Sequence, residues 1–362
     1  MGLLAGYGEE NQTGEVYGKY SFGNMYDQLL DEAYLREHTL PIIQNDVKTA
    51  GLLHDIENLD IMDVGMGRQA LCFALLGARS VRHFDISKDH VARFSALISK
   101  QYQDLPLTTT NLDLCKVAPP KDAFDFVFLN GIVHHFSNTA VGLKNCAAGV
   151  RQNGRIWAYF YRSGTFKWFV CDMIRRLLNA RDLDASFIAS ALIYSEGRLA
   201  DPTVSCIMDD FFAPYIHLYS PFEYIEFMER LGFKVCASND IDPLSSVNHE
   251  CMHHSATLVY ERRDMFDLDS VDTGQLLTPA SEIDQLNPSL YRNDAPKRCI
   301  DAFRKVEELL ASGSNPALVW SLCLAMHKFA APQYYGGNEY ALDYEGLERC
   351  LKHVSDNPGL LS

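Results

Sequence analysis

An α/β fold is predicted by three features of this chain: short runs rich in β-branched and aromatic residues, helical segments alternating with those runs, and a glycine turn where the first run meets its helix. The expected architecture is a parallel sheet with helices on both faces, a helical insertion late in the sheet, and a helical appendage at the C-terminus. By this reading residues 1–54 form an N-terminal helical cap and residues 55–262 the main domain. Residues 163–215 are an insertion within that domain, and 263–362 the appendage. A chain of 362 residues exceeds what one compact core usually holds, which agrees with a main domain plus additions.

The first 22 or so residues are rich in Gly and Tyr and show no period. A helical pattern starts at Asn24, with Met25, Leu29, Leu30 and Ala33 at three- and four-residue steps, and a second helix is expected over Leu40–Leu53. LDIMDVG, SVRHFDIS, LTTTNLDL, FDFVFLN and GRIWAYFY then read as strands, with ALCFALLGA and DHVARFSALISKQY as the first helices between them. After Tyr161 the alternation stops, and Phe166–Leu178 and Ser186–Tyr194 look like amphipathic helices. The period returns in SPFEYIEFMERLGFKVCAS. Ser220 is a helix N-cap there, Pro221 sits at the first helical position, Glu223 completes a capping box, and Gly232 fits the stop. KVCAS and SATLVYER close the sheet. In the tail, Ile300, Phe303, Val306 and Leu310 share one face of a helix over Lys297–Leu310, and Ala317–Phe329 is strongly apolar and must bury its surface, with the C-terminal helices expected to cap the pocket or form a homodimer.

Chemistry concentrates in Ile61–Ser87. Asp63, Gly65 and Gly67 lie in D-V-G-M-G between a strand and a helix, where bare backbone can approach a ligand and helix N–H groups point at it. Asp85 follows 22 residues after Asp63, at the end of the next strand, where a carboxylate can accept both hydroxyls of an adenosine ribose. The glycines alone are compatible with a dinucleotide site, since Ala70 occupies the third small position of that fingerprint.

Read together, D-x-G-x-G, F-D-I-S, N-L-D-L, F-D-F-V-F-L-N-G-I-V-H-H-F and N-G-R-I-W-A-Y-F-Y arrive in order at successive strand ends. In this the chain resembles the class I S-adenosylmethionine-dependent methyltransferases, with a Rossmann-like sheet, over about residues 55–262. D-D-F-F-A-P-Y-I-H-L-Y-S-P-F-E and G-F-K-V look like the small-molecule branch. The resemblance implies that Asp63, Gly65 and Gly67 cradle the methionine part of S-adenosylmethionine. It further implies that Asp85, with neighbouring Ile86, binds the ribose, that Asp113 and the Leu114 backbone contact adenine, and that Asn130 and Gly131 line the sulfonium side. Two positions depart from the family pattern: Gln69 replaces the third glycine of D-x-G-x-G-x-G, and R-Q-N-G stands where K-P-G-G is common.

For the acceptor side the candidates are His135, Tyr159, Tyr161, His217 and Tyr219, each weighed against simple core packing. Tyr159 and Tyr161 alternate on the fifth strand and share a face, while His217 and Tyr219 precede the Ser220 cap. His134 and His135 point about 100° apart if helical, so they make a poor pair for one ion. His249, Cys251, His253 and His254 match no standard metal spacing, and no metal is expected. Tyr17, Tyr20 and Tyr26 are weaker candidates for closing over the cofactor, with residues 163–215 as a lid over the acceptor.

The charge balance narrows the acceptor. With 47 Asp+Glu against 32 Lys+Arg the net charge is −15, which disfavours a phosphate backbone or an anionic lipid surface. A small-molecule acceptor is expected, with no nucleic-acid and no membrane partner. The ten cysteines form no C-x-x-C pair, MGLLAGYGEE has no basic leader character, and the apolar stretches Ile156–Tyr161 and Ala317–Met326 are too short to span a bilayer. A reduced, cytoplasmic protein is the expectation. An NAD(P)-dependent oxidoreductase on the same glycine turn, and a non-catalytic protein that binds S-adenosylmethionine, are the alternative readings.

Overall fold

The computed structural model describes residues 30–163, 165–180, 209–211, 213–239, 255–263, 294–310, 316–331 and 344–360, together with 271 and 273. A short helix Glu32–Tyr34 runs through a π-helical turn, Leu35–Thr39, into α1 (Leu40–Thr49). Strands and helices then alternate: β1 (Asp60–Val64), α2 (Arg68–Leu75), β2 (Ser80–Asp85), α3 (Lys88–Gln101), β3 (Leu107–Asn111), β4 (Phe124–Asn130), α4 (Thr139–Gly149) and β5 (Val150–Tyr161). Helix α5 (Phe166–Ala180) follows, then α6 (Pro221–Arg230), β6 (Phe233–Asn239) and β7 (Ser255–Arg262). The tail contains α7 (Ala295–Leu310), α8 (Pro316–Ala330) and α9 (Tyr344–Asp356).

The seven strands lie in the order β3-β2-β1-β4-β5-β7-β6. Strands β1–β5 pair in parallel, as their alternation with helices leads one to expect, while the closing strand β7 runs antiparallel to both β5 and β6, so the whole sheet is mixed. The reversal follows from the chain: β6 and β7 have no helix between them among the described residues, and an antiparallel pair needs no crossover. The chain winds outward from β1 to β3 and then returns to β4 on the other side of β1. The carboxyl ends of β1 and β4 therefore flank the crevice where the strand order reverses, the usual place for a ligand in such sheets.

The alternation in β4 shows how both faces are covered. Phe126 and Phe128 join Ile61, Phe73 and Trp157 under α1–α3, with the Phe128 and Trp157 rings stacked at 4.3 Å. Val127 and Leu129 point the other way, joined by Phe124 across an irregularity between Phe124 and Phe126, and pack with Leu143, Cys146, Tyr224 and Phe227 of α4 and α6. A strand buried on both faces reads as a continuous apolar run, as Phe126–Leu129 does between Asp125 and Asn130.

The third core is helical. Trp168, Phe169 and Ile174 of α5 bury against Phe303 and Val306 of α7, Val319, Cys323 and Met326 of α8, and Leu347 and Leu351 of α9. The apolar α8 thus finds its cover within the chain, against α5 and α9. At Ser220 both hydrogen bonds of the capping box form, and Gly232 takes a left-handed φ of 82° at the end of α6. The expected helix over Leu40–Leu53 ends at Thr49, and a 3-10 turn, Leu53–Asn58, leads into β1. Gly51, with a φ of 69°, breaks the helix. Ser186–Tyr194, Tyr17, Tyr20, Tyr26 and the His249–His254 cluster lie outside the described residues. Among the described residues no helix is long and apolar enough to cross a membrane.

Candidate active site

The glycine turn after β1 is held by the side chains of Asp63, His83 and Phe94. Asp63 is buried, and its Oδ2 accepts the Ala70 amide at 3.1 Å, three residues into α2. Gly67, the N-cap of α2, has no side chain to cap with, so Asp63, four residues upstream, does so. Burial pushes the Asp63 carboxyl up to about 7, although the Ala70 amide and Arg68 pull it down. Its other oxygen, Oδ1, is buried without a hydrogen-bond partner among the described residues.

Both glycines require their identity. Gly65 has φ 124° and Gly67 φ 89°, in the region L side chains avoid. A Cβ on Gly65 would sit 3.0 Å from Ile132 Cδ1, and one on Gly67 would meet the Phe94 ring at 2.7–2.9 Å. Gln69 is the second residue of α2 and has an ordinary negative φ, so the departure from a third glycine costs the turn nothing. In R-Q-N-G, Asn153 adopts the left-handed φ of 63°, a conformation Asn tolerates better than most residues. His83 was not evident from the sequence. It lies opposite Asp63 in the β1–β2 register, its Nε2 donates to the Gly65 carbonyl, and its Nδ1 lies 2.8 Å from Thr109 Oγ1. Phe94 packs edge-on against the His83 ring at 5.0 Å. The two residues lock the turn from β2 and α3.

At the end of β2, Asp85 is also buried. Its Oδ1 accepts the Ser87 amide at 2.6 Å and its Oδ2 lies 3.4 Å from His90 Nδ1. Ser87 caps α3 through the His90 amide. Asn111 Nδ2 donates to the carbonyls of Asp85 and Ile86, both at 2.9 Å, tying the β2 and β3 ends together. Asp113 accepts the Cys115 amide at 2.9 Å and faces Lys116 Nζ at 3.4 Å, and the carbonyl of buried Leu114 accepts from Asn145. Asp63, Gly65, Gly67, Asp85, Ile86, Asp113, Leu114, Asn130 and Gly131 therefore all fall at the carboxyl ends of β1–β4 or in the loops just beyond.

The loop after β4 turns at Gly131, whose φ is 71° and whose amide donates to the Tyr159 carbonyl. Val133–His135 is a single 3-10 turn, and the rings of its two histidines meet edge-on, 4.2 Å between centres. His134 is buried, stacks on Tyr161 at 3.5 Å, and accepts the Tyr161 amide through Nδ1 at 3.1 Å. His135 Nδ1 donates to the Tyr215 carbonyl at 2.8 Å, while its Nε2 faces Asp209 Oδ2 at 3.3 Å. The Tyr161 hydroxyl donates to that same Asp209 oxygen at 3.3 Å.

The five acceptor-side candidates thus divide. His135 and Tyr161 converge on Asp209, with Tyr159 beside Tyr161 at 6.2 Å between rings. His217 donates its amide to the His134 carbonyl and stacks near Tyr215, and burial together with His135 lowers its proton affinity. Tyr219 instead packs with Tyr224 in the core on the other face of the sheet, 5.3 Å between rings, where burial raises its hydroxyl.

Asp210 points away from that group. Its Oδ2 lies 3.0 Å from Lys167 Nζ on α5 and 3.1 Å from His327 Nε2 on α8, and all three are buried. Burial alone would raise this carboxyl, but Lys167 and His327 outweigh it and hold Asp210 below the ordinary range. Cys171, Asp210 and His327 bring S, O and N donor atoms within 4.8 Å of one another, a spacing a metal ion could use. Lys167 already supplies the positive charge there, and its Nζ lies 4.4 Å from the Trp168 ring centre.

A family profile described as a methyltransferase domain matches residues 62–158, the span from β1 to β5 that holds these strand-end residues. The ubiquinone biosynthesis O-methyltransferase of Bradyrhizobium diazoefficiens is 27% identical over 123 residues, which cover 33% of this chain and 46% of that protein. The chain thus spans about half the length of this curated relative. Among solved structures, the magnesium protoporphyrin IX methyltransferase of Synechocystis, determined with bound S-adenosylhomocysteine, is 13% identical with a TM-score of 0.44, covering 70% of this chain and 100% of that one. The 1,6-didemethyltoxoflavin-N1-methyltransferase of Burkholderia thailandensis is 14% identical with a TM-score of 0.40, over 70% and 88%. Residues 62–158, from β1 to β5, are thus an S-adenosylmethionine-dependent methyltransferase domain with the class I strand order and glycine turn.

Proposed function

We propose that this protein transfers a methyl group from S-adenosylmethionine to an O, N, S or C nucleophile of a small-molecule acceptor. The observation that carries the reading is the turn at the reversal of strand order: Gly65 and Gly67 leave bare backbone there, and Asp63 and Asp85 place two buried carboxylates beside it. These residues fit the cofactor: the glycines bring backbone close to its methionine part, and Asp85 stands where a carboxylate reaches ribose hydroxyls.

When bound, the cofactor supplies a methyl on a sulfonium, which is already an excellent leaving group. The protein's share is to align donor and acceptor and to exclude water. Asn130 and Gly131 sit across the crevice from the glycine turn, and His135, Tyr159, Tyr161 and His217 border the following loop as acceptor-side candidates; Tyr219, in the core of the opposite face, is the weakest of the five. Burial and His135 keep the His217 imidazole neutral, the form that has a lone pair to offer an acceptor that arrives protonated. The net charge of −15 and the small-molecule relative favour a low-mass acceptor over nucleic acid.

The test is to incubate the purified protein with S-adenosylmethionine carrying a labelled methyl and a cell extract separated into low-mass, protein and nucleic-acid fractions. Label entering the low-mass fraction is expected. Label confined to protein or nucleic acid would overturn the small-molecule reading.

A further inference from the structure

Asp209 and Asp210 are neighbours in sequence that face opposite parts of the molecule. Asp209 faces the cofactor loop, with its Oδ2 at 3.3 Å from both His135 Nε2 and the Tyr161 hydroxyl. Asp210 faces the appendage, with its Oδ2 at 3.0 Å from Lys167 and 3.1 Å from His327. The peptide that follows Asp210 is held as well. Arg175 reaches the Asp210 carbonyl at 3.5 Å and the Ala213 carbonyl at 2.9 Å. His135 belongs to the loop that leaves β4 beside Gly131, and Ile132 of that loop lies against Gly65. One aspartate pair therefore bridges helix α8 of the C-terminal appendage and the loop that borders the glycine turn.

We propose that His327 is a positioning residue of the methyl-transfer site, acting through Asp210 and Asp209 to set His135 and Tyr161; this rests on the methyltransferase reading above. A surface ion pair would not transmit position, because solvent replaces it readily. Here Lys167, Asp210 and His327 are all buried, and a buried polar network has few alternative arrangements once each member is satisfied. A shift at His327 therefore moves the Asp210 carboxylate, and the preceding residue, Asp209, moves with it. The appendage is by this account part of the acceptor side of the enzyme rather than a separate module, and the apolar packing of α8 on α5 fixes the distance over which it acts.

The test uses full-length protein with isotope-labelled histidine. The His135 ring signal is identified by its loss in His135→Gln. His327→Phe keeps the ring volume and removes the donor to Asp210, while His327→Gln retains a donor. The expected result is a displaced His135 signal in His327→Phe, return toward the wild-type position in His327→Gln, and no change in Lys352→Ala on the exposed face of α9. Calorimetry with S-adenosylhomocysteine should give affinities within about twofold across the set. An unmoved His135 signal in folded His327→Phe, or equal displacement in Lys352→Ala, overturns the proposal. If His327→Phe does not fold, an unmoved signal in Arg175→Gln, which loosens the same peptide, overturns it instead. Failure of the wild type to bind S-adenosylhomocysteine would sink the methyltransferase reading separately, whatever the His135 signal does.

Discussion

The side chain of Asp63 reaches seven residues along the chain to accept the backbone amide of Ala70 at 3.1 Å, closing the glycine turn from within. The same burial that makes this contact dry raises the carboxyl from 3.8 to about 7. The unfolded chain loses that proton near pH 4, whereas the folded protein keeps it to about pH 7. Raising the pH between those values therefore favours unfolding. The two midpoints lie about 3 pH units apart, so on the order of 4 kcal/mol of stability is lost across the window. Asp63→Asn keeps an acceptor for Ala70 and removes the titration. Chemical denaturation from pH 4 to 8 should show a flatter stability profile in this variant than in the wild type.

Gly67→Ala should destabilise the protein by about 2 kcal/mol, from its left-handed φ alone. The Phe94 ring, 2.7–2.9 Å from the new methyl, adds to that cost. Urea denaturation of Gly67→Ala with and without Phe94→Leu separates the two contributions. The double variant recovers the steric part and leaves the backbone part.

His83 holds the Gly65 carbonyl from β2, so its loss loosens the turn without touching the crevice itself. His83→Phe should weaken S-adenosylhomocysteine binding about fivefold, the worth of one hydrogen bond of about 1 kcal/mol. Isothermal titration with thermal melting beside it would register the affinity loss against a small change in melting temperature.

At the start of α6 the capping box makes Ser220→Ala cost about 1 kcal/mol. Because α6 packs on the sheet face away from His135, this variant should bind cofactor as the wild type does. Denaturation and calorimetry on the same preparation would check both statements.

Much of this was legible in the residues. Period-two and apolar runs located all seven strands, and FDFVFLN coincides with β4 residue for residue. D-V-G-M-G and the later Asp85 marked the crevice because they combine a rare backbone need with a charge at a strand end. The direction of β7 was not legible, since strand composition says nothing of orientation. Helices α4 and α9 were missed: the small residues of Thr139–Gly149 give α4 little amphipathic contrast. His83 could have been found, because it lies two residues before Asp85 and so shares its side of β2. Asp209 could not. Its value depends on a contact with His135 across 74 positions of chain, and no local period reports such a contact.

The crevice reading turns on Asp85, and calorimetric titration of wild type and Asp85→Ala with S-adenosylhomocysteine, and of wild type with NADH, tests it most directly. The account predicts that S-adenosylhomocysteine binds the wild type and NADH does not. It also predicts that Asp85→Ala weakens S-adenosylhomocysteine about tenfold to a hundredfold, the range for hydrogen bonds to a charged group. Binding of NADH without S-adenosylhomocysteine, or an affinity that Asp85→Ala leaves unchanged, would contradict it.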